Sequence, residues 1–260
     1  MAIELLNKWV LITGASSGFG AAAALGFAGA GSRLILGARR VSRLESIADE
    51  ARKAGSPDAR CHELDVSQTA SVEVFTDWVR NFTDRVDVLI NNAGGAHGLD
   101  TVANGKDSDW ESMVQTNILG VLRMTRAVLP LMLNHPGGVI LNIGSVAGRV
   151  AYEGGSAYCA SKAGELQITR ALRLELCGTG LRVGSIDPGM AETEFSLVRF
   201  KGDATRAAKV YEGAQPLKAE DVAEALIWAA SRPPHVCIDE MLIMATDQAA
   251  IHKVHRRTKG

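Results

Sequence analysis

The apolar run Trp9-Val10-Leu11-Ile12 leads directly into Thr13-Gly14-Ala15-Ser16-Ser17-Gly18-Phe19-Gly20, and an alanine-rich segment follows. A short apolar run that ends in a glycine-rich turn predicts a strand buried on both faces. The alanine-rich segment from Gly18 to Ala30 predicts a helix. The order of strand, glycine-rich turn and helix is typical of the first unit of a nucleotide-binding α/β fold.

Three glycines in this turn have separate uses. Gly14 lets the chain turn sharply off the strand, Gly18 lets the backbone approach a pyrophosphate, and Gly20 lets the helix pack close to the sheet. The start of the helix supplies free N–H groups for the phosphates. Because the spacing is G-x-x-x-G-x-G rather than G-x-G-x-x-G, a purely structural turn is the alternative. The residues that we expect to bind a cofactor in this turn are Gly14, Ser16, Ser17, Gly18, Phe19 and Gly20.

Short apolar runs alternate with helix-like segments along the whole chain, and this alternation predicts a parallel sheet covered by helices. We therefore predict an α/β chain: a single doubly wound, Rossmann-like domain over residues 1–260, with a seven-stranded parallel sheet and helices on both faces. The segment at about 188–216 breaks the alternation and is predicted to be a substrate lid. The other strands are predicted near 33–36, 60–64, 86–90, 138–143, 181–186 and 241–244. The other helices are predicted over 42–54, 70–82, 108–133, 157–177 and 219–230.

The amino-acid composition of the chain limits the kinds of binding partner that we expect. The chain has 260 residues with Lys+Arg 28 and Asp+Glu 29, a net charge of −1, which argues against a nucleic-acid or membrane partner. The four cysteines lie far apart without a C-x-x-C pair, and the N-terminus shows no secretory signal, so we expect a cytoplasmic protein. The histidines form no H-x-x-x-H pattern, and no metal site is expected. A small-molecule substrate is the expected partner.

The end of the second predicted strand bears on the choice of cofactor. It reads Leu36-Gly37-Ala38-Arg39-Arg40, with Ala38 where an NAD site would place an acid for the ribose 2′-hydroxyl. Arginine binds a phosphate bidentately, so Arg39 and Arg40 favour NADP. The alternative is a solvated pair of arginines at the start of a helix.

Tyr158-Cys159-Ala160-Ser161-Lys162 places a tyrosine and a lysine four residues apart, on one face of a predicted helix. A nearby ammonium favours the phenolate form of a tyrosine and makes it a better base at neutral pH. Ser145 ends the fifth predicted strand, at the edge where a parallel sheet places its ligands. Its flanks lack G-x-S-x-G, so an esterase is not indicated.

In order and spacing these motifs resemble the short-chain dehydrogenase/reductases over essentially the whole chain. The shared motifs are Thr13 to Gly20, Asn91-Asn92-Ala93-Gly94, Thr116-Asn117, Ser145, Tyr158 with Lys162, and Pro188-Gly189. The resemblance implies the catalytic tetrad Asn117, Ser145, Tyr158 and Lys162. It implies cofactor contacts from Asp65, Val66, Asn91, Asn92, Ala93, Gly94, Tyr158, Lys162, Pro188, Gly189 and Thr193. It also implies a homotetramer.

A narrower resemblance lies in the predicted lid. Pro188-Gly189-Met190-Ala191-Glu192-Thr193-Glu194-Phe195-Ser196-Leu197-Val198-Arg199 looks like the NADP-dependent 3-hydroxy acid dehydrogenases, which include serine and L-allo-threonine dehydrogenases. This resemblance implies an NADP-dependent oxidoreductase acting on a small 3-hydroxy acid. We expect substrate contacts from Ser145, Tyr158 and Arg199, because a carboxylate needs a cation. Alternatively, Arg199 pairs with acids of the lid and orders it.

Two other functions stay open from the sequence. One is the reduction of other small carbonyl compounds, such as sulfoacetaldehyde or ketones, by the same site. The other belongs to a different class, a catalytically silent NADPH-binding sensor. The presence of Asn117, Ser145, Tyr158 and Lys162 together argues against a silent protein.

Overall fold

Seven parallel strands form the central sheet of the computed structural model, which describes residues 5–257. The expected absence of a secretory signal at Met1 to Glu4 falls outside the described residues. The strands are β1 (Trp9–Thr13), β2 (Arg33–Ala38), β3 (Ala59–Glu63), β4 (Val88–Asn91), β5 (Val139–Ile143), β6 (Arg182–Pro188) and β7 (Glu240–Ile243). Their order is β3-β2-β1-β4-β5-β6-β7, and every neighbouring pair is parallel. The predicted doubly wound, seven-stranded parallel sheet is confirmed.

Helices cover both faces of this sheet, as predicted. They are α1 (Gly18–Gly29), α2 (Val41–Ala54), α3 (Thr69–Arg80), α4 (Asp107–Val114), α5 (Gly120–Leu133), α6 (Ser156–Glu175), α7 (Phe195–Arg199), α8 (Ala204–Lys209) and α9 (Ala219–Ala230). One core cluster joins α1, α2 and α9 to the sheet around Phe27 and Leu226. A second cluster joins α3, α5 and α6 to the other face around Phe75 and Met124. Burial of these apolar side chains is the main favourable contribution to folding.

The helix predicted over 108–133 is confirmed as one helical stretch, Asp107–Leu133, in which a π-helical turn at Gln115–Leu119 joins α4 to α5. The amide of Asn117 in this turn bonds to the backbone of Gly95, and these bonds hold the wider turn in place. By length and composition, the stretch 107–133 could cross a membrane, the one such helix among residues 5–257. Of its most apolar window, 44% is buried inside the protein.

Two features of the C-terminal half have no counterpart in the sequence prediction. Within the predicted lid, residues 188–216, the chain forms the short helices α7 and α8. After β7, the chain forms a two-stranded antiparallel ribbon of β8 (Gln248–Ala250) and β9 (Lys253–Val254). Each of these elements spans six residues or fewer, too short for a hydrophobic period to be visible in the sequence.

A chain of buried amide and hydroxyl groups crosses the centre of the sheet. The Asn91 amide donates to Thr125 at 3.0 Å and to the Asn142 carbonyl oxygen at 2.9 Å. Asn142 donates in turn to the Thr169 hydroxyl at 2.8 Å, which donates to the backbone oxygen of Glu165 at 3.0 Å. Buried polar groups are costly unless they are paired, so this chain fixes β4, β5 and α6 relative to one another.

We expect Asn142→Val to lower the free energy of unfolding by about 1–3 kcal/mol, because it removes one of the two acceptors of the buried Asn91 amide and the donor to the Thr169 hydroxyl. Urea unfolding measures the change as a shift in midpoint at constant slope. Asn104→Ala, at an exposed position, is the control and should leave the midpoint unchanged. Equal midpoints for both variants would show that the chain does not stabilise the sheet.

Candidate active site

The strand order reverses between β1 and β4, and their ends are joined by side-chain hydrogen bonds. The Thr13 hydroxyl accepts from the backbone N–H groups of Asn92 at 3.0 Å and Ala93 at 2.9 Å. The Asn92 amide donates to the backbone oxygens of Thr13 at 2.8 Å and Gly14 at 3.2 Å. A parallel sheet binds its ligands at such a reversal, beyond the carboxyl ends of the strands.

The glycine-rich turn has the backbone geometry that a phosphate site needs. Gly14 and Gly18 have φ angles of 67° and 54°, in the left-handed region that favours glycine. A Cβ on Gly14 would lie 2.9 Å from the Ala93 Cα, so the turn also requires the missing side chain. No side chain caps the N-terminus of α1 at Ser17, which leaves the first N–H groups of this helix for an anion.

A groove opens above this turn and runs towards β5 and α6. Its lining contains most of the predicted cofactor-binding residues: Gly14, Ser17, Gly18, Phe19, Asn92, Ala93, Gly94, Tyr158, Lys162 and Thr193. The expectation that Asn91 also lines the groove is wrong, because its side chain points into the core and bonds to Asn142. Neighbouring residues on an extended chain face opposite sides, so Asn92 faces the groove instead.

Other predicted cofactor residues lie outside this lining. Gly20 is buried behind the turn, where a Cβ would lie 2.5 Å from the Gly14 oxygen. The Asp65 carboxylate accepts from the backbone N–H of Ser67 at 2.9 Å and from its hydroxyl at 2.7 Å. Val66 packs in the second core cluster. Asp65 and Val66 are therefore engaged within the protein, next to the end of β3.

The two adjacent arginines after β2 have different surroundings. Arg40 donates to the hydroxyls of Ser16 at 3.3 Å and Ser17 at 2.6 Å, and to the carboxylate of Glu194 at 2.9 Å. Arg39 is exposed, and the structure gives it no hydrogen-bond partner among residues 5–257. Its guanidinium is available to an anion, whereas that of Arg40 is already engaged.

Glu194 connects the segment after β6 to the edge of the groove. Its carboxylate accepts from Arg40 at 2.9 Å and from Arg43 at 2.6 Å, across more than 150 residues of sequence. These two hydrogen bonds lower the pKa of the Glu194 carboxyl below its ordinary value. The network ties this part of the chain to the start of α2.

The four residues of the predicted tetrad are brought to one region of the structure. Tyr158 and Lys162 lie on α6, Ser145 follows β5, and Asn117 lies in the π-helical turn that packs against α6. The Ser145 hydroxyl accepts from the backbone N–H of Ala147 at 3.1 Å. Asn117 is buried and donates to the Gly95 oxygen and the Ser161 hydroxyl, each at 2.9 Å.

The ammonium of Lys162 is nearly enclosed by protein. It donates to the backbone oxygen of Ile143 at 2.7 Å and to the carboxylate of Glu165 at 2.6 Å. Burial by itself lowers the pKa of Lys162, but the neighbouring Glu165 and Tyr158 raise it above its ordinary value overall. Lys162 is therefore held as a cation beside Tyr158.

A second cavity, of about 460 Å³, adjoins the groove on the side of β6. Ser145, Tyr158 and Arg199, the three predicted substrate contacts, all line it, together with Pro188, Gly189 and Thr193. Its volume lies within the range of sites for small molecules. The structure thus places a hydroxyl, a phenol and a guanidinium around one space.

Arg199 is surrounded by aromatic rings in this cavity. Its guanidinium carbon lies 5.5 Å from the ring centre of Tyr152, 5.2 Å from that of Tyr158 and 5.3 Å from that of Phe195. It also donates to the Tyr152 hydroxyl, while its Nε is buried without a partner among the described residues. Aromatic rings and a phenol do not neutralise the positive charge of the guanidinium, so this charge is available to an anionic ligand.

The alternative role of Arg199, pairing with acids of its own segment, is not what the structure shows. Glu194 pairs with Arg40 and Arg43, and Asp203 caps α8 by accepting from the backbone N–H of Arg206. The neighbouring cation Lys201 pairs with Asp109 of α4 at 2.8 Å. Each of these charges is engaged elsewhere, and Arg199 faces the cavity.

Several residues of the site were missed by the sequence analysis. Tyr152 lies in an irregular segment before α6, and its contact with Arg199 links positions 47 residues apart. The ribbon of β8 and β9 brings Ile251, His252 and Val254 to the cavity. No local pattern marks these residues. Glu165 could have been found, because it lies three residues after Lys162 on the same helix face.

Among residues 5–257, no group of three or more His, Cys, Asp or Glu side chains could hold a metal ion. The groove, by contrast, fits a dinucleotide: it combines glycines in the left-handed conformation with an uncapped helix N-terminus, and the unpaired Arg39 follows the adjacent strand β2. Comparison with known proteins agrees with this geometry. The family model for short chain dehydrogenases matches residues 8–203. The chain belongs to the short chain dehydrogenase family.

Two relatives in this family match almost the whole chain. An NADP-dependent 3-hydroxy acid dehydrogenase of Schizosaccharomyces pombe is 44% identical over 256 residues, 98% of each chain. A sulfoacetaldehyde reductase 2 of Chromohalobacter salexigens is 45% identical over 247 residues, 94% of this chain and 96% of that protein. A solved structure, the closed form of serine dehydrogenase complexed with NADP+, is 39% identical with a TM-score of 0.87 and covers 96% of this chain and 100% of its own.

We expect Glu194→Gln to loosen the segment after β6, because it removes the charge that Arg40 and Arg43 share. Exposed ion pairs contribute about 0.2–1 kcal/mol each, so the loss of both should make amide exchange in α7 roughly two- to thirtyfold faster. Hydrogen exchange followed by mass spectrometry measures this change.

The control is Glu192→Gln, an exposed lid acid for whose side chain the structure shows no hydrogen bond. This variant should exchange at the wild-type rate. If both variants exchange equally, the ion pairs of Glu194 do not hold the segment.

Proposed function

We propose that this short chain dehydrogenase transfers a hydride between NADP(H) and a small 3-hydroxy acid of the serine, L-allo-threonine or 3-hydroxypropionate type. The observation that carries the proposal is Arg199, which faces the same cavity as Ser145 and Tyr158 without an acid of its own. A small hydroxy acid offers little apolar surface, so its carboxylate must supply much of the affinity. The names of the relatives support this class of substrate.

Residues of the groove would hold the cofactor. Gly14, Ser17 and Gly18, with the N-terminus of α1, would bind the pyrophosphate, and Asn92, Ala93 and Gly94 would line the ribose side. Thr193, with Pro188 and Gly189, would bound the nicotinamide side. When bound, NADP supplies the hydride acceptor, and NADPH the donor.

The side chains of the cavity would then handle the substrate and its proton. In the oxidative direction the Tyr158 hydroxyl oxygen takes the proton of the substrate hydroxyl, and in the reductive direction it returns that proton. The positive charge of Lys162, on the same helix face, would stabilise the negative charge on the Tyr158 oxygen during the transfer. Ser145 would donate a hydrogen bond to the substrate oxygen, and Asn117 would hold a water relay behind Lys162.

Arg39 is the residue that we propose for the 2′-phosphate. It follows Ala38 at the end of β2, it is exposed, and no acid pairs with it in the described part of the chain. Arg40 would contribute indirectly, because its donors hold Ser16, Ser17 and Glu194 around the same end of the groove. Asp65 and Val66 would bound the adenine side.

The segment 188–216 would act as the lid. It carries Thr193 at the groove and Arg199 at the cavity, so one movement of the segment would close both.

A sulfonate binds an arginine much as a carboxylate does, so the second candidate function is the reduction of sulfoacetaldehyde. The relative from Chromohalobacter favours it.

The experiment that tests the function measures initial rates with NADP on serine, L-allo-threonine and 3-hydroxypropionate, and with NADPH on sulfoacetaldehyde. Tyr158→Phe is the control for background activity and should lose oxidation while still binding NADP. Turnover of a neutral alcohol in strong preference to every acid would overturn the assignment. A preference for sulfoacetaldehyde would select the second candidate.

We also propose that the protein works in the cytoplasm as a homotetramer, as the family resemblance implies. All four cysteines, Cys61, Cys159, Cys177 and Cys237, are free thiols, which suits a reducing compartment. The exposed apolar side chains Leu122 and Leu133 on α5 offer a surface for a second copy. Sedimentation equilibrium measures the assembly, and a monomer at micromolar concentration would contradict it.

We expect Arg39→Ala to weaken NADP binding by roughly ten- to a hundredfold, because a hydrogen bond to a charged group contributes about 1.5–3 kcal/mol. NAD binding should change little, since NAD lacks the 2′-phosphate. Titration of both cofactors by calorimetry measures the two affinities. Lys53→Ala, which removes an exposed charge at the far end of α2, should leave both unchanged. Parallel losses for NADP and NAD would exclude Arg39 as the phosphate ligand.

We expect Arg199→Met to raise the Michaelis constant for serine or 3-hydroxypropionate by about ten- to a hundredfold, since it removes the charged partner of the carboxylate. A neutral alcohol of similar size should be affected much less. Lys201→Met serves as the control, because Lys201 pairs with Asp109 outside the cavity. Equal losses on the acid and the alcohol would assign Arg199 to the order of the lid.

A further inference from the structure

Glu165 is a buried carboxyl group beside the proposed catalytic lysine. It lies on α6, one turn after Lys162, and only 1% of its surface is exposed. One carboxylate oxygen accepts from the Lys162 ammonium at 2.6 Å. The other is buried without a partner among the described residues. Burying an incompletely paired carboxyl group is energetically costly, so the presence of Glu165 beside Lys162 needs an explanation.

The hydrogen bonds of Lys162 give the first part of this explanation. An ammonium has three donors. The backbone oxygen of Ile143 and the carboxylate of Glu165 accept hydrogen bonds from two of these N–H groups, at 2.7 and 2.6 Å. Lys162 also lines the cofactor groove, and a Cβ on Gly94 would lie 3.6 Å from its Nζ. Two donors are therefore fixed by protein, which leaves the third for the groove.

The charges around Glu165 give the second part. Lys162 on its own helix stabilises the carboxylate, and Asp187 of β6 opposes it. Arg149, after β5, is held by Asp187 and Glu240 and does not pair with Glu165. On α4, Asp109 pairs with Lys201, and Asn117 in the π-helical turn carries no charge. Burial dominates and raises the pKa of Glu165 to about 7.

We propose that Glu165 is a positioning residue that holds the Lys162 ammonium in place for catalysis and makes the reaction depend on its own protonation. As a carboxylate, it fixes the ammonium and balances its charge. Once protonated, it no longer attracts the ammonium, and the support that Lys162 gives to the Tyr158 phenolate weakens. The proposal rests on the catalytic role of Lys162 under the proposed function.

The variant Glu165→Gln keeps the shape of the side chain and a carbonyl acceptor for Lys162 but cannot ionise. It should behave as the protonated enzyme does at every pH. We expect its oxidation rate to be about tenfold lower than that of wild type at about pH 8, and the wild-type rise in rate through about pH 7 to be absent. Glu165→Asp retains a titrating carboxyl and should restore a pH-dependent rise, although at a lower rate.

The control is Glu73→Gln, which removes the same charge from an exposed position on α3 and should leave the profile unchanged. A wild-type rate and a wild-type pH profile in Glu165→Gln would overturn the proposal. So would a loss of rate with the rise through neutral pH intact, since that result describes a purely structural role. Loss of activity in Tyr158→Phe beside an unchanged profile in Glu165→Gln would refute Glu165 alone.

Unfolding tests the same carboxyl without any catalysis. An unfolded glutamate titrates near about 4.3. Because the folded state raises the pKa of Glu165 to about 7, its contribution to stability is complete below the unfolded pKa and is lost as the pH rises through about 7. The difference in unfolding free energy, wild type minus Glu165→Gln, should therefore fall between about pH 4 and about pH 7 and be flat above that. A difference that is flat or rises with pH would contradict the proposal, even if no substrate had been found.

Discussion

The hydrogen bonds between Thr13 and Asn92 fix the geometry on which the rest of the site depends. They join β1 to the chain after β4 at the point where the strand order reverses, and they involve both the side chain and the backbone of each partner. The crossover helices leave the sheet in opposite directions at this point, so a groove must open between them. The glycine-rich turn and Gly94 both line this groove, and these hydrogen bonds hold the two segments together.

Charge is distributed around this groove so that few cations remain unpaired. Arg40, Arg43 and Lys201 pair with carboxylates from distant parts of the chain, and Lys162 pairs with Glu165. Arg39, after β2, and Arg199, at the cavity, have no carboxylate partner in the described residues. Two unpaired guanidinium groups suit a reaction between two anionic molecules, a phosphorylated cofactor and an acid.

The sequence predicted the fold and the residues of the site that lie in regular elements. Gly14, Gly18, Tyr158 and Lys162 follow from local spacing on a strand, a turn and a helix, where the geometry is fixed by a few neighbours. Asn91 and Asn92 were both predicted to contact the cofactor, and strand alternation decides that only the Asn92 side chain faces the groove. The surroundings of Arg199 were out of reach, since Tyr152 lies in an irregular segment and the contact depends on tertiary packing. The same holds for Glu194, whose partners are separated from it by more than 150 residues.

The ion pairs of Glu194 also have a consequence for the order of events during the proposed turnover. They join the segment that carries Thr193 and Arg199 to the start of α2. Glu194 lines the groove but not the cavity near Arg199. Under the proposed function, the substrate would exchange while the cofactor stays bound beside these pairs. The kinetics would then be ordered, with cofactor first to enter and last to leave.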